Sequence, residues 1–169
     1  GVIPVLLTRF LFPSEDVAQA LAVLGVLIGH NWSIWIMLLA KHEPDSSYAR
    51  LPLGWIQRIA KEGRGGAGVA PTTGAVLALF PPVVLIMFVP IVAILVIVRY
   101  ASVASLTAVT LAPFLMLYFV LTGSAPWSYF VLMIGVGIIV IAVHLPNIQR
   151  LRTGTEKRFG QRLADRARK

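Results

Sequence analysis

From Val69 to Val98 the sequence runs without a charged side chain, and two adjacent prolines, Pro81 and Pro82, stand in its middle. A membrane-spanning helix needs about 20 apolar residues, so this run is too long for one. Two prolines in succession cannot continue a helix, because both lack an N–H and the second clashes with the preceding turn. The run is therefore one kinked span or two short helices meeting at the prolines. Further apolar segments occupy 1–12, 16–40, 103–122 and 126–143. Only 13% of the residues are charged, against about 25% in a soluble domain. The chain reads as an all-α integral membrane protein. It contains no cysteine, which excludes disulfides and thiolate metal sites.

Charge parity separates the two readings of the long run. The basic segments are 41–64, with Lys41, Arg50, Arg58, Lys61 and Arg64, and the tail from Arg150, which holds eight of the fifteen Lys and Arg. In a membrane protein such clusters mark the cytoplasmic side; they do not call for nucleic acid. A single crossing over 69–98 would leave the two basic segments on opposite sides. A hairpin turning at Pro81-Pro82 puts both inside, together with Arg99, and leaves the connections 13–15, 81–82 and 123–125 outside without Lys or Arg. About six transmembrane segments result. The first, 1–12, reads as the second half of a helix whose natural start lies upstream. Residues 1–154 form the polytopic membrane domain and 155–169 a basic cytoplasmic tail. Leu53, Ile56, Ile59 and Ala60 share one helical face, so the insert 41–62 is expected to carry a helix lying in the cytoplasmic interface.

Polar residues inside a membrane protein are functional candidates. "GRGGAGVAPTTG", residues 63–74, opens an apolar helix with bare backbone; glycine there serves close helix packing or an anion that takes exposed N–H groups. His30 sits in "LIGHNWSIW" beside Asn31 and Ser33, and its plain alternative is a packing role. Arg99, Tyr100, Ser102 and Ser105 form "RYASVAS" at a cytoplasmic helix end, alternatively an interfacial anchor. His144, Asn147, Arg150, Arg152 and Glu156 lie in "HLPNIQRLRTGTE", which follows the last apolar segment. All of these fall on the cytoplasmic side of the topology above. A site rich in Arg, His, Asn, Ser and backbone N–H, with few carboxylates, suits a phosphorylated ligand.

"RYASVAS" and "HLPNIQRLRTGTE" resemble the RYxSxxS and HxxNIxRLxxGTE signatures of the acyl-phosphate:glycerol-3-phosphate acyltransferases, the PlsY family. "GH" at 29–30 and "GRGGAGVAPTTG" resemble that family's GH and GGKGVAT elements, in the same order. The resemblance implies a fold of seven membrane helices, of which these segments are the second to the seventh. It implies transfer of an acyl group from acyl phosphate to the first hydroxyl of glycerol 3-phosphate, giving lysophosphatidic acid, in a bacterial cytoplasmic (inner) membrane with the C-terminus inside. It implies no metal and no cofactor. Residue by residue, Gly65, Gly66 and Gly68 would cradle phosphate, with Arg64 nearby. Arg99 and Ser102 would line the substrate site with Asn147 and Arg150. Ser105, His144 and Glu156 would stand at the chemistry, with His30 in support.

Three departures from the family pattern stand out. Ala67 occupies the position of the family's lysine, and Arg64 three residues earlier is the candidate replacement charge. The family's first motif is not among these residues, and roughly twenty-five residues are inserted between the GH and GG elements. Two functional readings follow. One is an active acyltransferase of phospholipid synthesis, its partners the bilayer and the two substrates. The other is a degenerate relative kept as an accessory subunit of a larger membrane complex.

Overall fold

The computed structural model of the chain describes residues 1–31 and 68–158. Six helices cover most of them: α1 (Val2–Leu11), α2 (Asp16–Asn31), α3 (Val69–Leu79), α4 (Pro81–Val98), α5 (Ala101–Leu121) and α6 (Trp127–Arg152). The last three are long and apolar enough to cross a membrane. The interfacial helix expected in 41–62, and residues 32–40 of segment 16–40, lie outside the described residues.

The break in the long apolar run falls one residue before the prolines. Phe80 leaves helical geometry at φ −146° and ψ 84°, and Pro81 and Pro82 form the first turn of α4. Proline suits that position, since its missing N–H has no intrahelical acceptor there. The two arms then return alongside each other: Val69 at the start of α3 and Leu95 near the end of α4 line one groove. At 1.5 Å per residue an eleven-residue α3 reaches about 16 Å, half a bilayer core, so the hairpin crosses as a pair of unequal arms.

The break strands the last carbonyls of α3, and the two prolines cannot donate to them. Inside a membrane an unmet carbonyl costs several kcal/mol. Arg9 of α1 meets this need, its Nη1 donating to the carbonyls of Ala78 at 2.6 Å and Leu79 at 3.4 Å. A second network ties the same end together. Gln19 Nε2 donates to the carbonyls of Phe12 and Pro13, at 3.0 and 3.2 Å, and its Oε1 accepts from the Tyr129 hydroxyl at 2.8 Å. The Phe80 ring packs edge-on against Phe119. The starts of α2, α4 and α6 and the ends of α1, α3 and α5 therefore share one end of the bundle.

The core is small in cross-section and centred on α3. Val5, Val23, Leu27, Val83, Met116 and Val140 are fully buried. Glycines let α1 lie against α3: a Cβ on Gly1 would meet the carbonyl of Pro71, and one on Gly74 would stand 3.3 Å from Val2 Cγ2. Such small-residue contacts replace the hydrophobic drive that lipid does not provide. Outside this core Ile3, Phe10, Phe114 and Ile97 are more than two-thirds exposed. An apolar surface of this extent belongs in lipid.

The charged exit is helical as well. The reading of 126–143 as the last apolar segment implies a helix ending near His144, whereas α6 runs on to Arg152 with Pro146 inside it. Proline removes one ladder bond, which the flanking turns of a long helix outlast. The stop comes at Gly154, whose φ of 69° is left-handed. The Gly154 N–H donates to the Leu151 carbonyl at 3.2 Å and the Thr155 N–H to the Arg150 carbonyl at 2.8 Å. This paired closure is a Schellman motif, and glycine fits it without steric cost.

A candidate substrate site at one end of the bundle

That closure turns the chain back, and Glu156 is carried inward to face the last turns of α6. Asn147 and Arg150 lie three residues apart and so share a helical face. Arg150 Nε donates to Glu156 Oε2 at 2.7 Å, and Asn147 Nδ2 donates to Oε1 at 2.9 Å. From α5, Ser102 Oγ donates to the same Oε1 at 3.0 Å. One carboxylate on that turn thus gathers three of the residues singled out by the sequence, from two helices. Burial raises the Glu156 pKa. The hydrogen bonds from Arg150, Asn147 and Ser102, with the Arg150 charge, outweigh burial and hold the carboxyl below the usual glutamate range. Glu156 is an acceptor clamp, and its lone pairs are committed to its neighbours.

His144 is one turn deeper on α6 and buried, with Nδ1 2.8 Å from the Val140 carbonyl. A carbonyl only accepts, so Nδ1 carries a proton, and in the neutral form of the ring the lone pair is on Nε2. Ser105 is one turn from Ser102 on α5; its hydroxyl donates to the Ala101 carbonyl at 2.9 Å. Ser105 also lines an apolar groove of about 340 Å³ between α3, α4, α5 and α6. Thr72 and Thr73 line it from α3, Met87 and Leu95 from α4, Val140 from α6. Arg99 caps α4 in a left-handed conformation, φ 62°, the one non-glycine residue with positive φ among the described residues. Its side chain is exposed. Arg158 lies 6.0 Å from the Tyr100 ring centre, so the start of α5 and the region just past α6 meet.

At the start of α3, Gly68 is the N-cap, with φ 66°. Its open Cα faces Leu27 and the Asn31 side chain of α2. The last described turn of α2 and the ends of α4 and α6 therefore meet the starts of α3 and α5, opposite the Arg9–Gln19–Tyr129 end. Gly68, Arg99, Ser102, Ser105, His144, Asn147, Arg150 and Glu156 all belong to this end. His30, in the last described turn of α2, is exposed and joins none of the described hydrogen bonds. Arg64, Gly65 and Gly66, with Ala67, lie outside the described residues. Thr72 and Thr73 at the site escaped the sequence reading, and Asn31 entered it only as a neighbour of His30. A Thr-Thr pair in the first turn of an apolar helix was the available signal for the first two.

An all-helical membrane protein with an anion-suited polar cluster at the mouth of an apolar groove is suited to a ligand with a charged head and a fatty tail. The profile of the glycerol-3-phosphate acyltransferase family matches residues 50–154. Glycerol-3-phosphate acyltransferase 2 of Moorella thermoacetica is 35% identical over 96% of this chain and 68% of its own length. The Halalkalibacterium halodurans glycerol-3-phosphate acyltransferase is 32% identical over 96% of this chain and 67% of its own. The crystal structure of PlsY, an integral membrane glycerol 3-phosphate acyltransferase in its glycerol 3-phosphate form, superposes with a TM-score of 0.71. It is 28% identical over 97% of this chain and 68% of that one. The chain belongs to the glycerol-3-phosphate acyltransferase family of integral membrane proteins. It spans about two-thirds of the length of these relatives.

Proposed function

We propose that this chain carries the substrate-binding end of an acyltransferase that moves an acyl group from acyl phosphate to the first hydroxyl of glycerol 3-phosphate. One observation carries the reading: the polar cluster around Glu156 opens beside an apolar groove of about 340 Å³. The groove suits the acyl chain, and the cluster suits the two phosphates. The basic segments support a cytoplasmic position for this end in a bacterial cell, with the tail on the same side.

In this reading the α3 N-terminus and the guanidinium groups of Arg99 and Arg150 hold phosphate. Glu156 takes Nε of Arg150 and leaves its Nη groups for an anion. Glu156 is a positioning residue, fixing Asn147, Arg150 and Ser102. His144 Nε2 accepts the proton of the attacking hydroxyl. The hydroxyl oxygen bonds to the acyl carbonyl carbon, the bond from that carbon to the phosphate oxygen breaks, and the electron pair leaves with phosphate. His144 then returns the proton to the phosphate. Preorganised donors stabilise the transient oxyanion. No observation on the described residues supports an accessory-subunit role.

The test is turnover of acyl phosphate and glycerol 3-phosphate by the purified full-length protein, beside its Asn147→Ala variant. The expected result is lysophosphatidic acid formation, with the apparent KM for glycerol 3-phosphate raised about tenfold or turnover lost in the variant. Equal kinetics would remove Asn147 from the site.

A further inference from the structure

Asn31, in the last described turn of α2, is 3% exposed, yet among the described residues neither Nδ2 nor Oδ1 of its side chain has a hydrogen-bond partner. A buried amide is normally paired, so an orphan one in this place asks for a ligand. Its position is specific. A Cβ built on Gly68 would fall 2.8 Å from both Nδ2 and Oδ1, so the amide lies against the N-cap of α3. The first turn of that helix leaves the N–H groups of Val69 and Ala70 without intrahelical acceptors, while Pro71 has none. An eleven-residue helix start, exposed N–H groups and an unpaired buried amide thus converge on one point.

Resting on the acyltransferase reading above, we infer that Asn31 is a phosphate ligand of this site. Its Nδ2 completes, with the first N–H groups of α3, a neutral donor set for a phosphate monoester or acyl phosphate dianion. The amide's two ends exchange by a half-turn, and an anion selects the orientation that presents Nδ2. Gly68 makes room for it: any side chain there would occupy the amide's place. The donor stands against Gly68, one residue from position 67, where this chain has alanine in place of the family lysine. Asn31 supplies by a dipole part of what a cation would supply by charge.

A structural role and a ligand role predict opposite behaviour. An orphan amide that merely fills space is better replaced by an apolar side chain of similar volume. Asn31→Leu, made in the full-length protein in nanodiscs, is expected to raise the thermal midpoint without ligand. It is also expected to raise about tenfold the concentration of inorganic phosphate or glycerol 3-phosphate that half-saturates the thermal shift, with sodium chloride at matched ionic strength as control. The two probes distinguish the phosphate subsite of acyl phosphate from that of glycerol 3-phosphate. An Asn31→Leu variant that half-saturates at the wild-type concentration with both probes overturns the inference and leaves the acyltransferase reading standing. A wild-type protein that responds to neither overturns both. Should Asn31→Leu not fold, the isosteric Asn31→Asp decides: a carboxylate beside the anion weakens saturation further, and an unchanged half-saturation overturns the inference.

Discussion

Replacing Glu156 by glutamine tests whether this carboxylate organises the site. The amide keeps an oxygen that can still accept from Ser102 and Asn147, now at 3.0 and 2.9 Å. The other end becomes an NH₂ group facing Arg150 Nε, which stands 2.7 Å from Oε2 in the native side chain, so a charge-assisted bond is replaced by two donors in opposition. A hydrogen bond to a charged partner contributes about 1.5–3 kcal/mol. The Arg150 side chain is 46% exposed and that of Glu156 10%, so solvent screens part of the pair. About 1–2 kcal/mol remains, a factor of roughly 5–30 in the opening equilibrium of the turn.

Hydrogen exchange followed by mass spectrometry on the segment 150–158, in nanodiscs, reads that equilibrium directly. The Thr155 and Glu156 N–H groups donate to the Arg150 carbonyl at 2.8 and 3.2 Å, and their exchange requires the turn to open. Glu156→Gln is expected to speed it by roughly 5–30-fold. Gly154→Ala is the positive control, since it forces a Cβ into φ 69° and loosens the same turn by about 1–2 kcal/mol. Unchanged exchange in Glu156→Gln beside faster exchange in Gly154→Ala would refute the clamp.

The same clamp has a pH signature. Because the folded pKa of Glu156 lies below its ordinary value, its contribution is complete above about pH 4.3 and is lost as pH falls through the lowered folded value. Exchange in 150–158, corrected for intrinsic rates, is expected to rise only on that acid side; a rise centred near neutrality would point to another group. Gly68→Ala places a Cβ at φ 66° and 2.8 Å from the Asn31 amide, and is expected to lower stability by about 1–3 kcal/mol in a thermal melt; Asn31→Ala in the same chain should recover part of the loss, and additive losses would show the two do not touch. Ala67→Lys restores a charge-assisted donor of about 1.5–3 kcal/mol, so turnover should rise roughly 10- to 100-fold, and a variant no faster than the parent would show that the alanine does not limit the chemistry.

Much of the helix plan was readable because it rests on charge and proline, which act locally. Charge parity brought Arg99 to the end of the bundle that also holds the turn after α6, and the contact of Arg158 with Tyr100 agrees. The length of α6 was not readable. Pro146 and the charges after it look like a stop, but a long helix survives one missing bond, and the true stop is the left-handed Gly154. The role of Arg9 was hidden for a different reason. It answers carbonyls of Ala78 and Leu79, and nothing in a sequence marks which distant helix end will need a donor. The Gln19–Tyr129 bond joins residues 110 apart and is equally silent.

The site was half readable, and the division follows the kind of signal each residue carries. Asn147 and Arg150 share a helical face by spacing, and Gly154 announces a turn that could return Glu156 to them. Ser102 joins that group only through the packing of α5 on α6. The groove gave no signal at all. On α4 every side is apolar, so Met87, which lines the groove, and Ile86, which is 54% exposed, look alike in the sequence. In lipid both kinds of surface select the same side chains, and only the packing of α4 against α3 and α5 decides which are enclosed. Asn31 shows the converse. In the sequence it stands beside His30 within the apolar segment 16–40, and only the packing of α3 shows it buried against a glycine. Its unpaired amide becomes visible only when burial and hydrogen bonding are considered together, because neither property is written in the residue type.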